Sequence, residues 1–184
     1  TPSRGFGLPM ILLNTVSELR SALAEREAEL TERIDRYIDE IERYFIRSEF
    51  EAVVEQCNLD GSLALDHFEG RQLNPGHALE GAWFLLAEAI YRNNDARLIT
   101  LGTTMIDWMF KRGWDTEYGG IIYFRDILGK SQVEYWHDMK FWWPQCEAAI
   151  ANLMAYTLTE NKKYAEQFTQ VDSYIKAHFL DPEH

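Results

Sequence analysis

The chain has 184 residues, with 18 Lys and Arg against 30 Asp and Glu, a formal net charge of −12 with His neutral. Hydrophobic residues at 46% and charged residues at 26% are ordinary globular usage, which excludes a disordered acidic tail and a low-complexity or collagen-like chain. A net anion of this size is a poor nonspecific partner for nucleic-acid backbones or anionic lipid, and no apolar run approaches the ~20 residues of a membrane helix. Two cysteines, Cys57 and Cys146, are too few for a disulfide scaffold or a cysteine-built zinc site, so a reducing, cytoplasmic compartment is expected. No signal peptide is visible, but the sequence starts at Thr1 rather than Met, so an upstream segment carrying one stays open.

The pattern is mostly helical. From Leu8 to about Ala24, Leu8, Ile11, Leu12, Val16, Leu19 and Leu23 fall at helical spacing, and Pro9 suits a first turn. A second helix runs from about Glu27 to Ile46, with Leu30, Ile34, Tyr37, Ile38, Ile41, Tyr44 and Phe45 on one stripe and charges on the other face. Residues Phe50–Cys57 and Ser62–Phe68 flank the turn signal Asn58-Leu59-Asp60-Gly61 and read as a short hairpin or irregular extended pair. Asn74-Pro75-Gly76 breaks the chain. His77 to about Arg92 is then a strongly apolar helix, and Asp95 caps another from about Ala96 to Lys111, ended by Gly113. Trp114 to Val133 returns to turns: Tyr118-Gly119-Gly120, a strand over Ile121–Phe124, and Leu128-Gly129-Lys130 leading back toward Val133. Helices follow from about Trp143 to Leu158 and from Lys162 to about His178, stopped at Asp181-Pro182.

Six helices therefore form three consecutive pairs, repeating at roughly 65 to 70 residues. Repeated helical hairpins build either an α-solenoid or a closed toroid. Long, chemically rich connections between the pairs fit a toroid with its site on one rim.

Three stretches carry chemistry. In Gly70–Glu80, His77 sits where a Pro-Gly turn enters a helix, and the positive end of the helix dipole favours its neutral, basic form. Glu80 lies three residues on; a cap partner and a site carboxylate are both open for it. In His137–Glu147, polar, titratable and Trp side chains crowd a helix mouth that has Pro144 in its first turn, which suits a binding site. Cys146 has no evident base or metal partner and reads as buried filler. Trp114–Gly120 is either a tight turn or a loop that closes over a ligand. The aromatic content of 14% suits a sugar cleft, where ring faces cover C–H bonds and polar tips bind hydroxyls, and suits a core equally well. No His-x-x-x-His or paired-carboxylate spacing argues for a metal, and neither a Gly-rich phosphate loop nor a Gly-x-Ser-x-Gly elbow is present.

Asn74-Pro75-Gly76-His77-Ala78-Leu79-Glu80-Gly81-Ala82-Trp83, then Trp114-Asp115 with Gly119-Gly120, then Lys140-Phe141-Trp142-Trp143-Pro144-Gln145-Cys146-Glu147-Ala148 resemble the N-acylglucosamine 2-epimerase family, in that order and across nearly the whole chain. The resemblance implies an all-α (α/α)6 toroid of helical hairpins. Residues 1–184 would form about three of its six hairpins as one partial barrel, with short β-hairpin insertions on the active-site rim. It implies interconversion of N-acetylglucosamine and N-acetylmannosamine by proton abstraction and return at C2, using two His bases. His77 matches one base and Glu147 a carboxylate of the site. Arg71, Glu80, Trp114, His137, Lys140, Trp142, Trp143 and Gln145 would bind substrate. The second His would lie downstream and a substrate-binding Arg upstream, so the 184 residues alone are expected to be inactive. No cofactor is implied for the chemistry, and neither is a metal; ATP enters as an activator in some family members, and a homodimer is compatible. Cellobiose 2-epimerases and aldose–ketose isomerases share the fold, but their histidine motif usually lacks the Pro-Gly-His-Ala-Leu-Glu form. A non-catalytic carbohydrate- or protein-binding member is the other alternative. A partial barrel is also expected to expose apolar helix faces.

Overall fold

A computed structural model describes residues 2–181. Its main elements are α1 (Gly7–Ala22), α2 (Glu27–Tyr44), a one-turn α3 (Phe68–Arg71), α4 (Pro75–Tyr91), α5 (Ala96–Gly113), α6 (Trp142–Thr159) and α7 (Lys162–His178). Six two- or three-residue strands join them: β1 (Ser3–Gly5), β2 (Ile46–Arg47), β3 (Ala52–Val53), β4 (Gln56–Asn58), β5 (Gln72–Leu73) and β6 (Arg125–Asp126). The long helices pack as three hairpins, α1/α2, α4/α5 and α6/α7. Their first helices also touch in sequence, α1 to α4 and α4 to α6, and so form one inner row. No helix among the described residues is long and apolar enough to cross a membrane.

The inner helices begin at residues 7, 75 and 142, a repeat of 68 and then 67 residues. Each has a proline in its first turn, Pro9, Pro75 and Pro144, where the lost N–H is an orphan in any case. Connections are short at one end of the hairpins, such as residues 160–161, and long at the other, residues 45–74 and 114–141. Every long connection therefore gathers at the N-terminal ends of α4 and α6.

Helix α4 is the centre of the packing. It buries Ala78, Leu79, Ala82, Phe84, Leu85, Leu86 and Ala89, too many for one stripe, because α1, α5 and α6 cover different faces of it. Gly102 and Gly113 of α5 allow close approach: a Cβ there would lie 2.9 Å from the Leu86 side chain and 2.6 Å from the Pro75 ring, respectively. Helix α2 is the contrasting outer type. Leu30, Ile34, Ile38 and Ile41 face inward and charges face out.

The short-connection end is locked by charge. Arg20 of α1 donates two hydrogen bonds to Glu88 of α4, at 2.9 and 2.6 Å, with both side chains almost wholly buried. Arg92 donates to the same carboxylate at 2.7 Å and pairs with Asp35 of α2 at 2.7 Å, while Arg20 also reaches Thr31 of α2. Three helices thus share one charged node.

The rim differs from the sequence reading in its strand pairing. The Asn58–Gly61 turn forms, with the Ser62 carbonyl accepting from the Asn58 N–H, but no strand runs through 62–67. Instead β2 pairs with β3, and β4 pairs with β1 at the other end of the sequence. The expected hairpin over 121–133 is also replaced. Ile121 bridges Trp114, Tyr123 and Phe124 donate to the carbonyls of Met139 and His137, and β6 pairs with β5. Arg71 explains that choice: its Nε donates at 2.8 Å to the buried Asp126 carboxylate, holding the 125–126 segment against 72–73. Helix boundaries move by a few residues; α4 starts at Pro75 with Asn74 as its cap, α5 ends at Gly113, and the expected Asp95 cap forms. Pro182 of the expected stop lies outside the described residues, and α7 ends at His178.

Apolar side chains on the two end helices of the row stay uncovered: Leu8, Ile11 and Leu19 on α1, and Ile150, Leu153 and Tyr156 on α6.

Removing Glu88 strands Arg20 in the interior without its partner. Glu88→Ala is expected to lower stability by about 3–5 kcal/mol, read from the midpoint and slope of urea unfolding.

Candidate active site

The N-terminus of α4 is set by three consecutive residues. Asn74 Oδ1 accepts the His77 N–H at 3.1 Å, Pro75 opens the helix, and Gly76 leaves room for an aromatic ring. A Cβ on Gly76 would lie 2.7 Å from the Trp143 ring, so this glycine is required by close approach rather than by its backbone angles. Trp143, in the first turn of α6, therefore lies across the α4 terminus with its ring centroid 5.3 Å from that of His77. Gly81 and Ala82 further along α4 keep the inner row tightly packed, which holds the two helix mouths side by side.

Around His77 stand three carboxyl groups. Its Nδ1 lies 3.0 Å from Glu55 Oε2, a residue of the link between β3 and β4. Glu80 of α4 and Glu147 of α6 are half-buried beside it. The indole Nε1 of Trp83 donates to Glu147 Oε2 at 2.6 Å. Tyr123, from the long connection, sets its ring edge-on against Trp143 at 5.8 Å.

Burial and charge move the acidities together. Burial acts to lower the His77 pKa, but the bond to Glu55 and the charges of Glu55, Glu80 and Glu147 outweigh it, and the net shift is upward. The expectation of a helix terminus favouring neutral His is therefore corrected: three carboxyls, Glu55 in direct hydrogen-bond contact, act against the dipole. Glu80 is raised by burial and by the charge of Glu147. Glu147 is raised by burial, against the Trp83 bond and His77, which pull it down. Burial and Glu55 together push the Tyr123 phenol up. All three shifts run the same way, so the histidine and both carboxyls hold their protons to higher pH than they would in water, the kind of perturbation that clusters at proton-transfer sites.

The other expected substrate contacts take varied places. Lys140 Nζ pairs with Asp115 Oδ2 at 2.6 Å, and that pair, with N–H donors from residues 117 and 118, closes the 115–120 turn. Gln145 is fully buried beneath the rim, where its amide accepts the Ile121 N–H and donates to the carbonyls of Ile121 and Phe141. Arg71 is buried in its Asp126 pair and donates to the Leu65 carbonyl. Trp114 stacks flat on Phe110, 5.3 Å between centroids, and meets Tyr174 of α7 edge-on. Trp142 is exposed, and His137 is half-buried on the connection that receives the Phe124 N–H. The structure thus brings His77, Glu80, Glu147 and Trp143 together and sets Lys140, Gln145, Arg71 and Trp114 in the scaffold around them. Cys146, read as filler, is only partly buried.

Sequence reading missed Glu55, Trp83 as the partner of Glu147, and Tyr123. Trp83 lies inside the recognised motif, but its indole partner is 64 residues away. Glu55 has one local sign, a lone carboxylate after the buried run Ala52-Val53-Val54. Among the described residues, no three His, Cys, Asp or Glu side chains converge as a metal-binding set.

The family model of N-acylglucosamine 2-epimerase matches residues 10–184. The chain belongs to the N-acylglucosamine 2-epimerase family. It is 37% identical over 182 residues to the N-acylglucosamine 2-epimerase of Bos taurus, covering 99% of this chain and 43% of that protein. To that of Homo sapiens it is 35% identical over 180 residues, 96% of this chain and 41% of the other. The chain therefore spans less than half the length of these relatives. Among solved structures it is similar to a D-mannose isomerase, with a TM-score of 0.78 at 21% identity over 99% of this chain and 45% of that one. A sugar epimerase from a ruminal bacterium gives a TM-score of 0.78 at 15% identity, over 97% of this chain and 43% of that one. These likenesses are of fold: the three hairpins are arranged as in (α/α)6 barrel-type folds.

The Lys140–Asp115 pair has a defined acid limit. Lys140 holds the Asp115 carboxyl down at about 2 from its ordinary 3.8. A depressed carboxylate stabilises fully above the unfolded value and loses that contribution as pH falls through the folded one. The pair is expected to persist through mild acid and to open only as pH drops from about 4 toward 2, read from the Asp115 carboxyl carbon shift in an NMR titration.

Proposed function

We propose that these residues form one side of the active site of a sugar 2-epimerase that interconverts N-acetylglucosamine and N-acetylmannosamine. The observation that carries this reading is His77, held at an inner-helix mouth among Glu80, Glu147 and Trp143, with its proton affinity raised by carboxylates.

The sugar must first be open, because only the aldehyde makes the C2 proton removable. An imidazole then takes that proton, the C–H electron pair moves into a C1–C2 double bond, and negative charge develops on O1. Return of a proton to the opposite face of C2 inverts the centre. His is the side chain suited to both halves near neutral pH. Glu80 and Glu147, which hold protons more readily than ordinary carboxyls, are suited to hydrogen-bond to O1 or to the sugar hydroxyls as charge builds. Trp143 offers a ring face for the C–H side of the sugar. Three carboxyls in one place repel an anionic substrate, so an uncharged acylamino sugar fits better than a sugar phosphate. The second base belongs, on this reading, outside these 184 residues, and the 184-residue chain alone is inactive.

Turnover of N-acetylmannosamine in heavy water tests the chemistry. One deuterium at C2 of the product is expected, and unlabelled product would sink proton abstraction. In a protein of full family length, His77→Ala is expected to lower kcat by roughly 10²–10⁴, the share that general-base catalysis supplies. Unchanged turnover of every acylhexosamine offered to that variant would favour a non-catalytic binding role.

A further inference from the structure

We propose that Glu55 is the positioning residue of His77, fixing the ring as its Nδ1–H tautomer and leaving the Nε2 lone pair to take the proton. The role rests on His77 being a proton-transfer base, as proposed above; the tautomer itself does not.

A carboxylate only accepts, so a 3.0 Å contact between Glu55 Oε2 and Nδ1 requires the hydrogen on Nδ1. In the neutral ring the other nitrogen is then the base. Nε2 has no hydrogen-bond partner among the described residues, and the His77 side chain is 34% exposed, so that lone pair is within reach of a ligand. The ring cannot easily turn away. The backbone N–H of His77 is capped by Asn74, which fixes the residue at the helix start, and the ring lies against Trp143.

Glu55 is itself anchored as a positioning residue must be. Its carbonyl accepts the Phe6 N–H at 2.9 Å, its N–H donates to the Gln72 carbonyl at 3.3 Å, and the neighbouring Val54 N–H donates to Phe45. Three separate segments of chain therefore fix its backbone, and Phe6 and Phe45 pack edge to face beneath it. When Nε2 accepts a proton, the ring becomes imidazolium and the Glu55 carboxylate faces it as a counter-charge. Glu80 from α4 and Glu147 from α6 act on the same ring, and Tyr123 from the rim faces Glu55.

The ring ¹⁵N shifts of His77 in this chain test the proposal. The Nδ1–H form is expected to dominate the neutral ring in the wild type and to give way to a mixture in Glu55→Ala, with Glu55→Asp restoring most of it. Glu55→Gln keeps the shape and covers the case in which the alanine variant does not fold: loss of the anion is expected to lower the His77 titration midpoint. An unchanged midpoint in Glu55→Gln, or an unchanged tautomer in a folded Glu55→Ala, overturns the proposal. In a protein of full family length, Glu55→Ala is expected to lower kcat about ten- to hundredfold with little change in KM. The acid limb of kcat in Glu55→Gln should move to lower pH. If His77→Ala leaves turnover intact while the tautomer shifts with Glu55, the function reading fails alone. If His77→Ala abolishes turnover while Glu55→Ala alters neither kcat nor tautomer, the positioning role fails alone.

Discussion

Helix α4 gives almost none of its length to water, and the rest of the molecule follows from that. A helix covered by α1, α5 and α6 cannot leave its ends to solvent alone. Its C-terminal end is answered by the Arg20–Glu88–Arg92 node, which draws α2 in through Asp35 and Thr31. Its N-terminal end is answered by the Asn74 cap and the Pro75 start, and His77 sits there as a direct result. The buried charged node stands at one end of the hairpins and the proposed site at the other. The two ends share a backbone but no charged residue.

The rim is built from segments with little regular structure of their own. Strands of two or three residues would not persist alone. They are held by side chains: Arg71 to Asp126, Gln145 to the Ile121 backbone, Lys140 to Asp115. Several residues that look like ligand-binding groups in a list are thereby committed to shaping the walls. What is left for the proposed site is a small set, the His77 imidazole, the carboxyls of Glu80 and Glu147 and the ring of Trp143, with Glu55 behind the imidazole.

Helices were legible in the sequence because their signals are local. Leu30, Ile34, Ile38 and Ile41 recur at the helical period, and Asp95 and Asn74 announce their helices as caps. Strand pairing was not, because its causes are distant: β1 finds β4 across more than fifty residues, and β6 finds β5 through a buried ion pair. The site divides the same way. His77, Glu80, Trp143 and Glu147 lie in two short motifs at helix mouths. Glu55 lies in neither, and only the folding of the 45–74 connection brings it to the ring. The protonation preference of His77 was misread for the same reason, since the dipole is a property of its own helix and the carboxylates come from elsewhere.

Glu80 and Glu147 stand 67 residues apart, the same interval that separates the starts of α4 and α6. Counted from the first residue, each is the sixth of its helix, so the two carboxyls come from matching levels of neighbouring inner helices. In a ring of similar hairpins, equivalent positions of the inner row point toward a common axis, so a single repeat position becomes a circle of side chains around that axis. The corresponding residue of α1 is Leu12, apolar and only partly covered. Rotational equivalence therefore provides the meeting point of the two carboxyls without any special loop, and the identity of one residue per hairpin decides how acidic, apolar or basic that circle is. A fold of this kind can change what it binds by single substitutions at equivalent positions while every helix stays where it is.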